Sequence, residues 1–145
     1  MPVRSAQTKW RGSLQDGDGD VNLVSSGAGT FNVSFPRRAA DDAEGVTSPE
    51  ELIAAAHSAC YAMQLSAMIA RADGTPEILD VKADVELAPD PEGGFRIAGI
   101  LITVRARLSG LDDDTFAAVA EEAKRQCPVS KALTGTTVTL DAALV

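Results

Sequence analysis

Histidine and cysteine are scarce in this chain. Its 145 residues include one histidine, His57, and two cysteines, Cys60 and Cys127. Structural zinc usually takes four protein ligands, so these three fall short. His57 and Cys60 stand three residues apart, on one face of a helix, but nothing beside Cys127 supplies a second ligand pair. No metal is expected on that count. A calcium loop is also missing, although "DGDGD" (Asp16, Asp18, Asp20) has its alternation. The sixth position would be Val21 where glycine is needed, and the twelfth Gly27 where glutamate is needed. The motif reads as a turn.

An excess of positive charge is lacking as well. Against 21 acidic residues stand 13 basic ones, a net charge of -8. That disfavours nucleic acid, whose phosphates need a basic patch, and anionic membrane surfaces. The opening "MPVRSAQTKW" has no apolar run and does not read as a signal peptide. The expected compartment is the cytoplasm, where a cysteine pair is more often catalytic, redox-sensing or metal-binding than a permanent staple. The one long uncharged run, Leu52 to Ala70, is rich in alanine and interrupted by His57, Ser58, Gln64 and Ser66. A helix covered by a sheet explains it better than a membrane span. Internal repeats, low-complexity segments and linkers are absent, so a single domain over 1–145 is expected.

What is present is a regular alternation of elements. "VRSAQTKWRGSL", "VNLVSS" and "TFNVSF" read as strands, the last with Phe31, Val33 and Phe35 on one face. "PRRAADDAEGVT" reads as a polar loop. A long helix starts at "SPEE" with Ser48 as N-cap, Pro49 at the first helical position and Glu51 completing a capping box. It runs to about Arg71 and ends at "DGTP". Val81, Ala83, Val85 and Leu87 alternate with Lys82, Asp84 and Glu86, predicting a strand with one face buried. "PDPEGG" reads as a hairpin loop and "FRIAGILITVRARLSG" as a long strand with Arg105 and Arg107 outward. "DDDTFAAVAEEAKRQ" is an amphipathic helix with Phe116, Val119, Ala120 and Ala123 along one side. "CPVSKAL" restarts a helix after Cys127, and "TTVTLDAALV" closes as a strand. The order β-β-β-α-β-β-α-α-β, with its hairpins, gives an α+β class with antiparallel pairing.

The chemistry rests on the thiols. A peroxide-reducing or redox-sensing cysteine reacts as the thiolate, which needs positive charge nearby. A second thiol captures the oxidised sulfur as a disulfide before it over-oxidises. Two cysteines, a basic residue and no cofactor motif suffice for that. On composition alone Cys60 is more often a small core hydrophobe, and His57 is more often a core histidine with its hydrogen bond met than a catalytic partner of Cys60. Glu51 has its work in the capping box. Glu50 has none beyond favouring the helix dipole, and a carboxylate so placed holds an arginine by a bidentate pair. Arg37 and Arg38 lie just upstream.

"TSPEELIAAAHSACYAM" together with "AKRQCPVSKAL" resembles the OsmC/Ohr family of bacterial thiol peroxidases, on the OsmC side, from "TKWRGSL" to the final "VTL". The resemblance implies an intertwined α+β homodimer, with antiparallel sheets wrapped around long central helices. It implies reduction of organic hydroperoxides, and less efficiently of hydrogen peroxide, without metal, haem or other cofactor. Cys60 matches the peroxidatic cysteine, Cys127 the resolving one, and Glu50 the carboxylate that holds the active-site arginine. That arginine is placed at Arg38, with Arg37 the alternative; a gapless match to some members puts Ser34 there instead. The reductant implied is a dithiol, a dihydrolipoyl group on a protein. On this reading Arg38 lowers the pKa of Cys60 and Cys60 forms a sulfenic acid, which condenses with Cys127. Ile53, Met63 and Met68 would favour an organic tail, and His57 is structural.

Spacing adds one expectation. Glu50 and Cys60 are ten residues apart in one helix, roughly 15 Å along its axis. One arginine cannot easily bridge that within a chain, so each site is expected to combine two subunits across a dimer interface. The rival classes are a thiol redox sensor that signals to a partner and a non-catalytic relative that binds lipids or small ligands.

Overall fold

The structure, a computed structural model, describes all residues, 1–145. It divides into two compact units, Met1–Leu52 and Ile53–Val145.

The first unit is a meander. Strands β1 (Gln7–Arg11), β2 (Asp18–Asn22) and β3 (Thr30–Val33) pair antiparallel in that order. The sequence placed all of "DGDGD" in a turn, but Asp18 to Asp20 belong to β2. Arg11 on β1 donates to Asp18 and Asp20 at 2.9 and 2.7 Å, and Asn32 on β3 donates to Asp20 at 2.7 Å. The carboxylates are thus cross-strand partners, which is what draws them into the sheet. β3 also ends earlier than its alternation suggested. Ser34 turns out of the strand and caps a four-residue helix, α1 (Phe35–Arg38), accepting from the Arg37 N–H. The predicted polar loop therefore begins with a helical turn, so the observed order is β-β-β-α-α-β-β-α-α-β. Only Val21 of this unit's apolar residues is buried, while Trp10, Leu14 and Phe31 stay exposed.

Helix α2 (Pro49–Arg71) is unbroken for 23 residues. Its start follows the sequence: the Ser48 hydroxyl accepts from the Glu51 N–H at 3.1 Å. The other half of the capping box does not form, because the Glu51 carboxylate accepts from the Thr47 hydroxyl instead. At the far end Asp73 takes the left-handed conformation, and Gly74 closes the helix by donating to the Ile69 carbonyl at 2.9 Å. Gly74 is needed for closeness: a Cβ there would stand 2.8 Å from Leu111 Cγ.

The second unit has one core. β4 (Thr75–Pro89) and β5 (Phe95–Ser109) form a long antiparallel hairpin. α3 (Asp113–Gln126) and α4 (Pro128–Ala132) then carry the chain across to β6 (Thr137–Leu144). That crossover makes β6 parallel to β5, so the sheet is mixed rather than purely antiparallel. Ile100, Ile102, Val104 and Ala106 alternate along β5 and are buried. They join Tyr61, Leu65 and Ile69 of α2 and Phe116, Ala120 and Ala123 of α3 in the core. The α2 contribution repeats every four residues, one stripe of the helix. Tyr61 also donates its hydroxyl proton to the Ala120 carbonyl at 2.9 Å, so the buried phenol is satisfied. Arg105 and Arg107 lie on the outer face and pair with Asp141 and Glu77, both at 2.9 Å.

By length and composition α2 could cross a membrane, but its Tyr61–Leu65–Ile69 stripe sits in a protein core. Its opposite side, with Ala55, Ala59, Met63 and Ala67, is apolar and exposed.

Candidate active site

Arg38, the last residue of α1, and Glu50, the second residue of α2, form a fork. Arg38 Nη2 donates to Glu50 Oε1 at 2.6 Å, and Arg38 Nε lies 3.1 Å from both carboxylate oxygens. Glu50 is 7% exposed. Burial pushes its carboxyl up, but the Arg38 hydrogen bonds and charge, with help from the Ser48 hydroxyl, hold it below its ordinary value. In return the bond to Glu50 outweighs burial and keeps Arg38 firmly protonated. Arg37 points elsewhere, to Glu44 at 2.5 Å. Ser34 serves as the cap of α1. Of the residues considered for the arginine, Arg38 is the one the fold sets on Glu50. Arg38 lines a cleft of about 350 Å³ together with Trp10, Leu14, Val21, Val33 and Phe35.

Cys60 and Cys127 meet in the second unit with their sulfurs 3.4 Å apart. Both are free thiols. Cys60 lies in the middle of α2. Cys127 is fully buried at the junction of α3 and α4, where Pro128 lacks the N–H that would let one helix continue. Burial raises the Cys60 thiol, the Val129 N–H lowers it, and Cys127 alongside raises it again, with a net upward shift. A thiol so shifted is a poor nucleophile until a cation reaches it.

His57, one turn before Cys60, is fully buried. Its Nε2 lies 2.7 Å from the hydroxyl of Ser130, and its Nδ1 has no hydrogen-bond partner. Burial lowers its pKa, so the ring is neutral. No group of three or more His, Cys, Asp or Glu side chains is arranged to hold a metal.

The site residues named from sequence thus fall into two pairs, Arg38 with Glu50 and Cys60 with Cys127. Sequence reasoning passed over Ser130 and the Val129 N–H, although both lie within "CPVSKAL", and Ser130 stands three residues after Cys127, as His57 stands three before Cys60. Met63 is 73% exposed, and Ile53 and Met68 pack on the core. The cleft beside Arg38 is lined from the first three strands, α1 and the first turn of α2, with Pro49 and Leu52.

The family described as OsmC-like protein matches residues 41–141. The chain belongs to that family. Among OsmC-like relatives, Peroxiredoxin OsmC of Escherichia coli (strain K12) is 37% identical over 138 residues, covering 95% of this chain and 94% of that protein. Organic hydroperoxide resistance protein-like 2 of Staphylococcus epidermidis is 31% identical over 108 residues, 72% of each chain. The crystal structure of the organic hydroperoxide resistance protein OhrB of Bacillus subtilis superposes with a TM-score of 0.74 at 27% identity, covering 95% of this chain and 97% of that one. The family match contains Glu50, Cys60 and Cys127 but stops short of Arg38. That arginine's assignment therefore rests on its geometry with Glu50.

Proposed function

We propose that the protein is a cysteine-based peroxidase that reduces organic hydroperoxides to alcohols, and hydrogen peroxide less well. The observation that carries this reading is the 3.4 Å approach of two free thiols, one in mid-helix and one at a helix junction. The relatives, a peroxiredoxin and organic hydroperoxide resistance proteins, point the same way.

Cys60 attacks the distal oxygen of the hydroperoxide as a thiolate. The O–O bond breaks, the alkoxide takes a proton and leaves as the alcohol, and Cys60 becomes a sulfenic acid. The Cys127 sulfur displaces hydroxide, water leaves, and a Cys60–Cys127 disulfide remains. A dithiol such as dihydrolipoamide, free or on a lipoylated protein, restores both thiols by exchange.

The cation for this chemistry is Arg38, fixed by Glu50, and it comes from a second copy of the chain. α2 runs unbroken between Glu50 and Cys60, which sets their backbones roughly 15 Å apart along the axis. Two further observations support a homodimer with sites at the interface. One side of α2 is apolar yet exposed. The first unit buries a single apolar side chain, too little for a three-stranded sheet on its own. In the dimer the cleft beside Arg38 would take the organic tail while Cys60 of the other copy meets the peroxide. The chain works as one domain, in the cytoplasm, with no cofactor.

A titration tests this. One equivalent of cumene hydroperoxide should consume both thiols and release one equivalent of cumyl alcohol. Thiols that persist after the hydroperoxide is added would overturn the proposal.

A further inference from the structure

Three contacts join α2 to the "CPVSKAL" segment: the Val129 N–H to the Cys60 thiol, and two between side chains that are spaced alike. His57 meets Ser130 at 2.7 Å, and Cys60 meets Cys127 at 3.4 Å. On α2 the histidine comes three residues before the cysteine; on the other segment the serine comes three residues after it. Residues at that spacing share a helix face, so the two contacts are adjacent rungs between antiparallel segments. The polar rung is the more directional one, since a hydrogen bond fixes both distance and angle.

The segment it holds has little stability of its own. α4 has five residues, Pro128 at its start and no side-chain cap at Cys127. A helix this short stays formed only through tertiary anchors. Its position also matters chemically. A disulfide needs its sulfurs about 2.05 Å apart, so the 3.4 Å pair must close further, and a small displacement of α4 in the wrong direction removes the reaction.

We propose that the His57–Ser130 hydrogen bond is a positioning device for the resolving step, pinning α4 so that Cys127 stays opposite Cys60 while the sulfenic acid exists. The proposal rests on the peroxidase reading given above. At the sulfenic acid two reactions compete. Condensation with the Cys127 thiol forms the S–S bond and releases water. A second hydroperoxide instead transfers an oxygen, giving a Cys60 sulfinic acid and another alcohol. The pin favours the first. His57 serves this in its neutral form with the proton on Nε2, donating to the Ser130 oxygen and leaving Nδ1 as an unprotonated lone pair. That arrangement leaves no N–H of the ring unpaired, which fits the absence of a partner at Nδ1.

The test compares the full-length protein with Ser130→Ala, and with Ser130→Thr, which keeps the hydroxyl. Intact-mass spectrometry after excess cumene hydroperoxide, without reductant, gives the ratio of disulfide to sulfinic acid at Cys60. Equilibration with reduced and oxidised glutathione gives the stability of the disulfide without any peroxide. In Ser130→Ala the ratio should fall about tenfold and the disulfide equilibrium constant about tenfold, some 30 mV, with Ser130→Thr restoring most of both. Equal values in Ser130→Ala and wild type, or equal losses in the alanine and threonine variants, would overturn the pin. If Cys60 of the wild type resists the hydroperoxide, the peroxidase reading fails, and the glutathione equilibrium alone decides whether the pin exists.

Discussion

Cys60 and Cys127 face each other across two helical segments with 3.4 Å between their sulfurs. The distance is that of two thiols in contact, well beyond a bond of about 2.05 Å. Both are free thiols in contact, with no bond between them. Replacing Cys127 with serine should leave the sulfenic acid at Cys60 without its partner. Dimedone should label Cys60 after hydroperoxide in Cys127→Ser and leave the wild type unlabelled, as read by peptide mass spectrometry.

The Arg38–Glu50 fork should matter twice. On the proposed reading Arg38 is the cation for Cys60, so Arg38→Ala should lower kcat/KM for cumene hydroperoxide about 10²-fold, on the scale of losing one electrostatic contact to a reacting centre. It also leaves Glu50 buried without its partner, costing about 2 kcal/mol in urea denaturation. The Glu50 carboxyl is held below its ordinary value of 4.5. Its contribution to stability is thus complete above pH 4.5 and lost as the pH falls below that, through its folded value. Glu50→Gln should lose that part of the acid dependence.

Subunit mixing tests the shared site. Alone, Arg38→Ala should be about 10²-fold slowed and Cys60→Ser inactive. Unfolded together and refolded, they should recover about a quarter of wild-type activity, since half the dimers are mixed and one site of two is complete in each. A site within a single chain would recover none.

His57 is the only histidine in the chain, which makes its titration separable. Its folded pKa lies below the ordinary 6.5 because burial opposes the charge. Between those two values the unfolded chain binds a proton that the native one does not, so stability should rise with pH across that window and level off above 6.5. Urea denaturation from pH 5 to 8 should show that slope, at most about 1.4 kcal/mol per pH unit, and His57→Gln should lack it.

Tyr61→Phe offers a control remote from the chemistry. It removes the hydroxyl bonded to the Ala120 carbonyl and keeps the ring in the core. A loss of about 1 kcal/mol in urea denaturation is expected, with the disulfide-to-sulfinic ratio unchanged.

Local rules carried far along this chain. Ser48, Pro49 and Glu51 mark the start of α2, and the alternation from Val81 to Leu87 marks the half-buried, core-facing side of β4, because capping and period-two patterning depend on neighbours in sequence. The motifs around Glu50, Cys60 and Cys127 were legible as a family resemblance, which the family match over residues 41–141 bears out. What escaped depended on distant partners. Asp18 and Asp20 look like turn residues until Arg11 and Asn32 pair with them across the sheet. Phe35 continues an apolar alternation, but Ser34 ends the strand by capping α1. The parallel placement of β6 follows from the path of α3 and α4, which no local pattern encodes. His57 was read as a structural, hydrogen-bonded histidine, and it is one, but its partner Ser130 lies seventy-three residues away.

The most direct measurement is the steady-state rate of cumene hydroperoxide reduction with dihydrolipoamide as donor, wild type beside Cys60→Ser. Rapid turnover by the wild type, falling to the uncatalysed rate in Cys60→Ser, is the predicted result. A Cys60→Ser protein that keeps the wild-type rate would contradict it.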